Sequence, residues 1–239
     1  MTSLGLGMYT LADAAKLVRT EPRKIKRWLY GHVYTARHGA TREHRVVSPL
    51  WSPQYDREEL GEAVIGFQDL LELRVVKQFV LHGVPLPVVR RCLDTARDVF
   101  GRDHPLTSHR FVTDGSTIFA DSLESEARAG EHDGELLDLH SRQYTFRSII
   151  KDSLYAGIEY EDGRARRWYP QPRSRVVVVD PAFQFGHPMI EACGVPTATL
   201  YSSFLAEGQQ KAAVARIFDV PVRHVEAAVR FEERLQQVA

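Results

Sequence analysis

The strongest chemical signal in this chain is a run of cations near its start. Arg23, Lys24, Lys26 and Arg27 fall between Pro22 and Tyr30, and Arg37, Arg42 and Arg45 follow soon after. Clustered fixed cations suit a polyanion. Arginine can donate two parallel hydrogen bonds to a guanine edge, whereas lysine mostly holds phosphate. Thr20 and Tyr30 add hydroxyls at the two ends of the first run. These nine residues form the candidate DNA-contacting set. Residues 1–50 carry nine Lys/Arg against three Asp/Glu, although the chain as a whole is neutral, so the footprint is local. A solvated basic face is the plain alternative.

No other constellation offers chemistry. His104, His109, His132, His140, His187 and His224 are scattered, without the spacing of a metal site. No nucleophile elbow, phosphate-binding loop or dinucleotide fingerprint occurs. Cys92 reads as a core thiol, and Cys193 sits in a Gly/Pro turn without a base beside it. Asp180 and His187 make one polar pair, read as a turn-stabilising contact. The chain is therefore expected to be non-enzymatic, with no cofactor or metal.

The elements that must position the cations can be read from period and punctuation. Thr10 caps a short helix that ends near Arg19-Thr20, with Asp13 at the third position, and Leu11, Ala14, Ala15 and Val18 form one apolar stripe. A second helix has Thr20 as its expected cap, Pro22 in its first turn, and Gly31 as its stop. Ile25, Trp28 and Leu29 form its inner face, and the cations point elsewhere. Two short helices joined by a tight turn make a helix-turn-helix. Residues 33–55 read as a cationic hairpin, a wing. A long helix is expected from Leu60 to His82-Gly83, and another from Leu86 to Phe100.

Further on, Asp114-Gly115 between two apolar runs predicts a hairpin over 104–121. An acidic connection follows over 121–135, then a helix over 136–150. A second hairpin turns at Asp162-Gly163. Arg175 to Val179 reads as a strand. Three helices close the chain, over 198–207 (capped by Thr197), 209–218 and 222–237, with Ala213, Val214 and Ile217 facing Val225, Ala228 and Val229. The last helix balances its arginines against its glutamates, which favours a packing or partner surface over a second DNA reader.

The fold class expected is mostly α with small β hairpins (α+β). Its units are a winged helix-turn-helix over 1–102, a hairpin connector over 103–172, and a helical domain resembling a helix-turn-helix over 173–239. With 44% apolar residues, two cysteines, no secretory start and no membrane-length apolar run, a cytoplasmic protein is expected.

The order helix, turn, helix, wing, helix, helix resembles the DNA-binding domain of the MerR family. The residues that carry the likeness are Tyr9-Thr10-Leu11, Ala14-Ala15, Pro22 to Trp28, Leu70 to Leu73 and His82 to Leu86. The resemblance implies groove contacts from Arg23, Lys24, Lys26 and Arg27, with the wing arginines in support. The last sixty residues resemble the family called domain of unknown function 433, through Asp180-Pro181, Phe185-Gly186-His187-Pro188, Gly194-Val195-Pro196-Thr197 and Glu207-Gly208. Together the two resemble a mycobacterial VapB-type antitoxin. That likeness implies autoregulation on operator DNA as a homodimer, and neutralisation of a VapC-type PIN-domain ribonuclease toxin. The toxin-contacting residues are not implied; Arg164, Arg166 and Arg167 are a candidate strip, against a plain solvated hairpin. The alternative is a MerR-like ligand-sensing transcriptional regulator without a toxin partner.

Overall fold

The computed structural model describes residues 6–38, 41–129 and 152–237. Within them the fold is mixed α+β. The first part runs β1 (Tyr9–Thr10), α1 (Leu11–Val18), α2 (Pro22–Tyr30), β2 (His32–His38), β3 (Thr41–Val47), α3 (Arg57–Leu60), β4 (Val64–Ile65), α4 (Phe67–Leu81) and α5 (Leu86–Phe100). Then come α6 (His109–Ala129), α7 (Asp152–Tyr155), β5 (Ile158–Glu161), β6 (Arg164–Trp168), β7 (Val177–Val178), β8 (Met189–Ile190), α8 (Thr197–Ala206), α9 (Lys211–Ile217) and α10 (Val222–Gln236). The strands form two-stranded antiparallel pairs, β1–β4, β2–β3, β5–β6 and β7–β8.

Local chemistry explains the start. Thr10 Oγ1 accepts from the Asp13 N–H at 3.1 Å, and the Asp13 side chain returns the bond, completing the expected capping box. The Thr20 N–H donates to the Ala15 carbonyl at 3.0 Å and so helps close α1, with Arg19 in the left-handed region at φ 59°. Thr20 is therefore not the cap of α2. Glu21 is, in the extended conformation that Pro22 imposes on its predecessor. Gly31 ends α2 as expected, at φ 68°; a Cβ there would meet the Val47 carbonyl oxygen at 2.3 Å. That close approach sets the base of the hairpin against the end of α2.

Three expectations are corrected. The long helix from Leu60 is broken: α3 stops at Gly61, Val64-Ile65 pair with β1, and α4 begins at Phe67. The cap of α4 is non-local. Gln54 Oε1 accepts from the N–H groups of Gln68 and Asp69, at 2.7 and 3.3 Å, and approaches so closely that a Cβ at residue 66 would sit 2.2 Å away. The hairpin expected over 104–121 is instead the N-terminal half of α6. Ser108 accepts from the Phe111 N–H at 3.2 Å, and Phe111, Gly115, Ile118, Phe119 and Ser122 are buried at helical spacing. That apolar stripe packs on the core, Phe119 stacking on Phe79, and overrides the Asp-Gly turn signal. The expected acidic connection belongs to α6 as far as Ala129. Its remainder and the helix expected over 136–150 lie outside the described residues.

At the C-terminal end the three helices stand within two residues of their expected bounds. Thr197 is the first helical residue rather than the cap; its buried hydroxyl bonds the Pro188 carbonyl and Glu232. Ile217 is exposed, and Ala215 takes the inward place with Val214. The strand read over Arg175 to Val179 narrows to Val177–Val178, with Val179 bridged to Trp168. The hairpin at Asp162-Gly163 is present. Buried residues from all three stretches, Tyr9 through Phe231, join one hydrophobic cluster. The Tyr9 hydroxyl donates to the Gly186 carbonyl at 2.7 Å, fastening β1 to the 180–188 loop.

Candidate nucleic-acid interface

Helix α2 is anchored by Ile25, Trp28 and Leu29, all buried. A turn of 100° per residue puts Arg23 and Arg27 opposite that face, with Lys26 and Lys24 on its flanks. All four are exposed. Lys24 reaches Glu21 at 2.6 Å, a pair of exposed groups three residues apart that contributes little and yields readily to phosphate. Among the described residues no carboxylate forms an ion pair with Arg23, Lys26 or Arg27. The helix thus turns unneutralised cations to solvent.

The wing splits its arginines. Its register pairs Arg37 with Arg42 and Tyr34 with Arg45. Arg42 is exposed. Arg45 is engaged by Glu43 at 3.2 Å, and the Glu43 hydrogen bond holds its guanidinium more firmly charged. Residues alternate faces along a strand, so Arg42 and Arg45 lie on opposite sides of the ribbon. Of the two, Arg42 forms no ion pair among the described residues.

Two other expected contacts are drawn into the fold. Thr20 is half-buried in the α1–α2 turn. Tyr30 sends its hydroxyl to the Val64 carbonyl at 3.3 Å, with the Arg57 guanidinium 5.7 Å from its ring centre. Tyr30 therefore docks the end of α2 onto β4.

Several residues that sequence reasoning missed hold this surface in place. The Leu50 N–H donates to the Trp28 carbonyl at 2.8 Å, returning the chain to α2 after the wing. The Arg90 guanidinium, on α5, donates to the Pro49 and Ser48 carbonyls. Lys77, on α4, donates to the Val18 carbonyl at 3.0 Å. Between α2, the wing base and α5 lies an open groove of about 780 Å³, where Lys24, Arg27, Arg90 and Arg91 converge around Trp28 and Leu86.

Beneath the surface, α4 carries two fully buried carboxylates, Asp69 and Glu72. Asp69 accepts from Trp51 Nε1 (2.7 Å), Gln54 N (2.9 Å), Gly66 N (3.1 Å) and His104 Nε2 (2.8 Å). Glu72 uses one oxygen for the Thr107 N–H and hydroxyl; its other oxygen is buried without a hydrogen bond among the described residues. Burial pushes Glu72 up to about 7, against the opposing pull of His104 and Thr107. Burial by itself would lower His104, but the hydrogen bond and charge of Asp69 outweigh it and raise the imidazole.

These shifts predict a pH dependence of stability. Between its ordinary value of 4.5 and about 7, folded Glu72 keeps a proton that the unfolded chain has released, so stability falls as pH rises across that window. The cost above pH 7 is about 3 kcal/mol. His104 acts in the same direction. Its pairing with Asp69 stabilises fully below 6.5 and is lost as pH rises through the raised folded value. Urea unfolding is expected to show higher stability at pH 5.5 than at pH 8. Glu72→Gln should raise stability at pH 8 and remove most of the slope; an unchanged slope in that variant would clear Glu72 of the effect.

Elsewhere the expected polar sites stay structural. Asp180 accepts from the Ala182 N–H at 2.9 Å, a turn contact, and His187 stands edge-on to Tyr9. Burial lifts the Cys92 thiol to about 12, consistent with a core role. Arg166 and Arg167 pair with the chain's own Glu161, Glu159 and Glu191. Among the described residues no group of His, Cys, Asp or Glu is placed to hold a metal ion, and no helix is long and apolar enough to cross a membrane.

No protein-family model matches the chain, and no curated protein does. Among solved structures the chain is similar to the crystal structure of Rv2018 from Mycobacterium tuberculosis. The TM-score is 0.63 at 23% identity, over 95% of this chain and 99% of that one. At that identity the likeness speaks for the fold alone.

Proposed function

We propose that this chain is a non-enzymatic DNA-binding protein that lays α2 in the major groove and sets its wing on the flanking backbone. The observation that carries the reading is the exposed cation set on a helix whose opposite face is fully anchored, with Arg37 and Arg42 opposed in the adjoining ribbon. The winged helix-turn-helix order of the MerR family supports it. Within that reading the chain is the antitoxin of a type II toxin–antitoxin pair. It acts in the cytoplasm, binds its own operator as a homodimer and blunts a VapC-type PIN-domain ribonuclease. Support for the toxin pairing is the resemblance of residues 180–208 to the domain of unknown function 433 and of the whole layout to VapB-type antitoxins.

The test is co-purification of the tagged full chain with the product of the adjacent reading frame. A PIN-domain protein that co-elutes, and whose ribonuclease activity falls on adding the chain, is the expected result. An adjacent product without a PIN domain, or one that fails to bind, would leave a ligand-sensing regulator as the better reading. The groove of about 780 Å³ beside α2 favours that second reading, since a ligand there would touch both reading helix and wing.

A further inference from the structure

A second groove, of about 640 Å³, lies between the 171–176 turn and α10. It belongs neither to the α2 surface nor to the wing. Arg223, Arg230 and Arg234 line it, at positions that share one face of the helix. None of the three forms an ion pair among the described residues. The charge of α10 balances to zero only along the sequence. Glu226 is drawn away to Lys211 and Glu232 to Thr197, which leaves Glu233 as the one carboxylate lining the groove among the described residues.

Two buried polar atoms of residues in the lining have no hydrogen bond among the described residues. His224 is only 9% exposed, and its Nδ1 has no hydrogen bond among the described residues. Gln171 accepts the Ser174 hydroxyl on Oε1 at 3.2 Å, and its buried Nε2 has no acceptor among the described residues. A buried polar group without a partner is costly and calls for an occupant. Val176 and Ala227 supply an apolar patch in the same groove.

We infer that this groove binds a phosphorylated small molecule of mononucleotide size. The phosphate would take the arginines and the Gln171 amide, and the rest of the ligand would lie along Val176 and Ala227. Three guanidiniums and an amide converge best on a group with several charged acceptor oxygens. The volume exceeds what an inorganic anion fills and falls in the range of small-molecule sites. Burial, aided by Arg223, lowers the His224 pKa, and an anion in the groove would oppose that shift. The inference does not rest on the DNA-binding reading, and its test uses no DNA except as a control.

The experiment is calorimetric titration of the full chain with AMP and with inorganic phosphate, alongside NMR of the His224 ring. AMP should bind one per chain, phosphate should compete more weakly, and the His224 pKa should rise on binding. Arg230→Ala, an exposed position, should weaken AMP by about tenfold or more while leaving the urea midpoint and duplex-DNA affinity unchanged. Gln171→Glu should weaken it as well, by replacing a donor with an acceptor. No binding at millimolar AMP, or full AMP affinity in Arg230→Ala, would overturn the inference. So would a loss of duplex affinity in Arg230→Ala without any AMP binding, which would make the groove a DNA contact.

Discussion

Asp69→Asn is expected to lower the folding free energy by about 3–5 kcal/mol. The carboxylate is fully buried, and each of its oxygens accepts two hydrogen bonds. Oδ1 takes the Trp51 indole and His104; Oδ2 takes the backbone N–H groups of Gln54 and Gly66. An asparagine amide presents an oxygen to only one of these pairs and sets its own N–H groups against the other. Two charge-assisted bonds are lost, and their donors stay buried. Asp69 joins the segment that follows the wing, the start of α4 and the loop after α5, so the loss should spread to the seating of the wing. A typical domain is stable by only about 5–15 kcal/mol, so much of the margin is removed. Urea unfolding at pH 7 measures it; a change below about 1 kcal/mol would show that the hub is not needed.

Reversing two charges on α2, Arg23→Glu with Arg27→Glu, is expected to weaken binding to the upstream DNA of the chain's own gene by at least about 100-fold. Both side chains are exposed, and among the described residues neither pairs with a carboxylate, so the fold has little stake in them. Surface changes of that kind usually stay within about 0.5 kcal/mol of neutral. Binding and stability therefore separate cleanly: Tm should hold while affinity collapses. Tyr30→Phe is the contrasting variant. Its hydroxyl serves the Val64 carbonyl, so it should alter stability slightly and DNA affinity little. Operator affinity that survives the double reversal would move the reading surface away from α2.

Much of the candidate interface was legible because its determinants are local. The Thr10–Asp13 capping box, the Pro22 start, the Gly31 stop and the cations opposite Ile25, Trp28 and Leu29 all lie within one or two helical turns of each other. Helix α5 and the closing helices followed from period and punctuation for the same reason. What was not legible depends on segments distant in sequence. Gln54 caps α4 from fourteen residues upstream, and β4 exists only because β1 is beside it. Asp69 and Glu72 stand in a run so apolar that it reads as plain core; two carboxylates three residues apart in such a run were the available sign of a buried polar network. At Asp114-Gly115 a strong local turn signal lost to tertiary packing, since Gly115 gives α6 a buried face beside Phe111. Type and position alone make Tyr30 and Arg45 expected DNA contacts. The partners that occupy them, Val64 across β4 and Glu43 on the same strand, become apparent only with the side chains in place.

The most direct measurement is the salt dependence of binding, by fluorescence anisotropy, to a duplex carrying the DNA upstream of the chain's own reading frame. With α2 and the wing on phosphates, the logarithm of the binding constant should fall linearly with the logarithm of salt concentration, with a slope near about −4 per chain. Alanine at Arg23, Lys24, Lys26 and Arg27 together should flatten that slope by about 3. A slope near zero, or a four-alanine variant that titrates like the unaltered protein, would contradict the assignment of α2 as the surface that meets DNA.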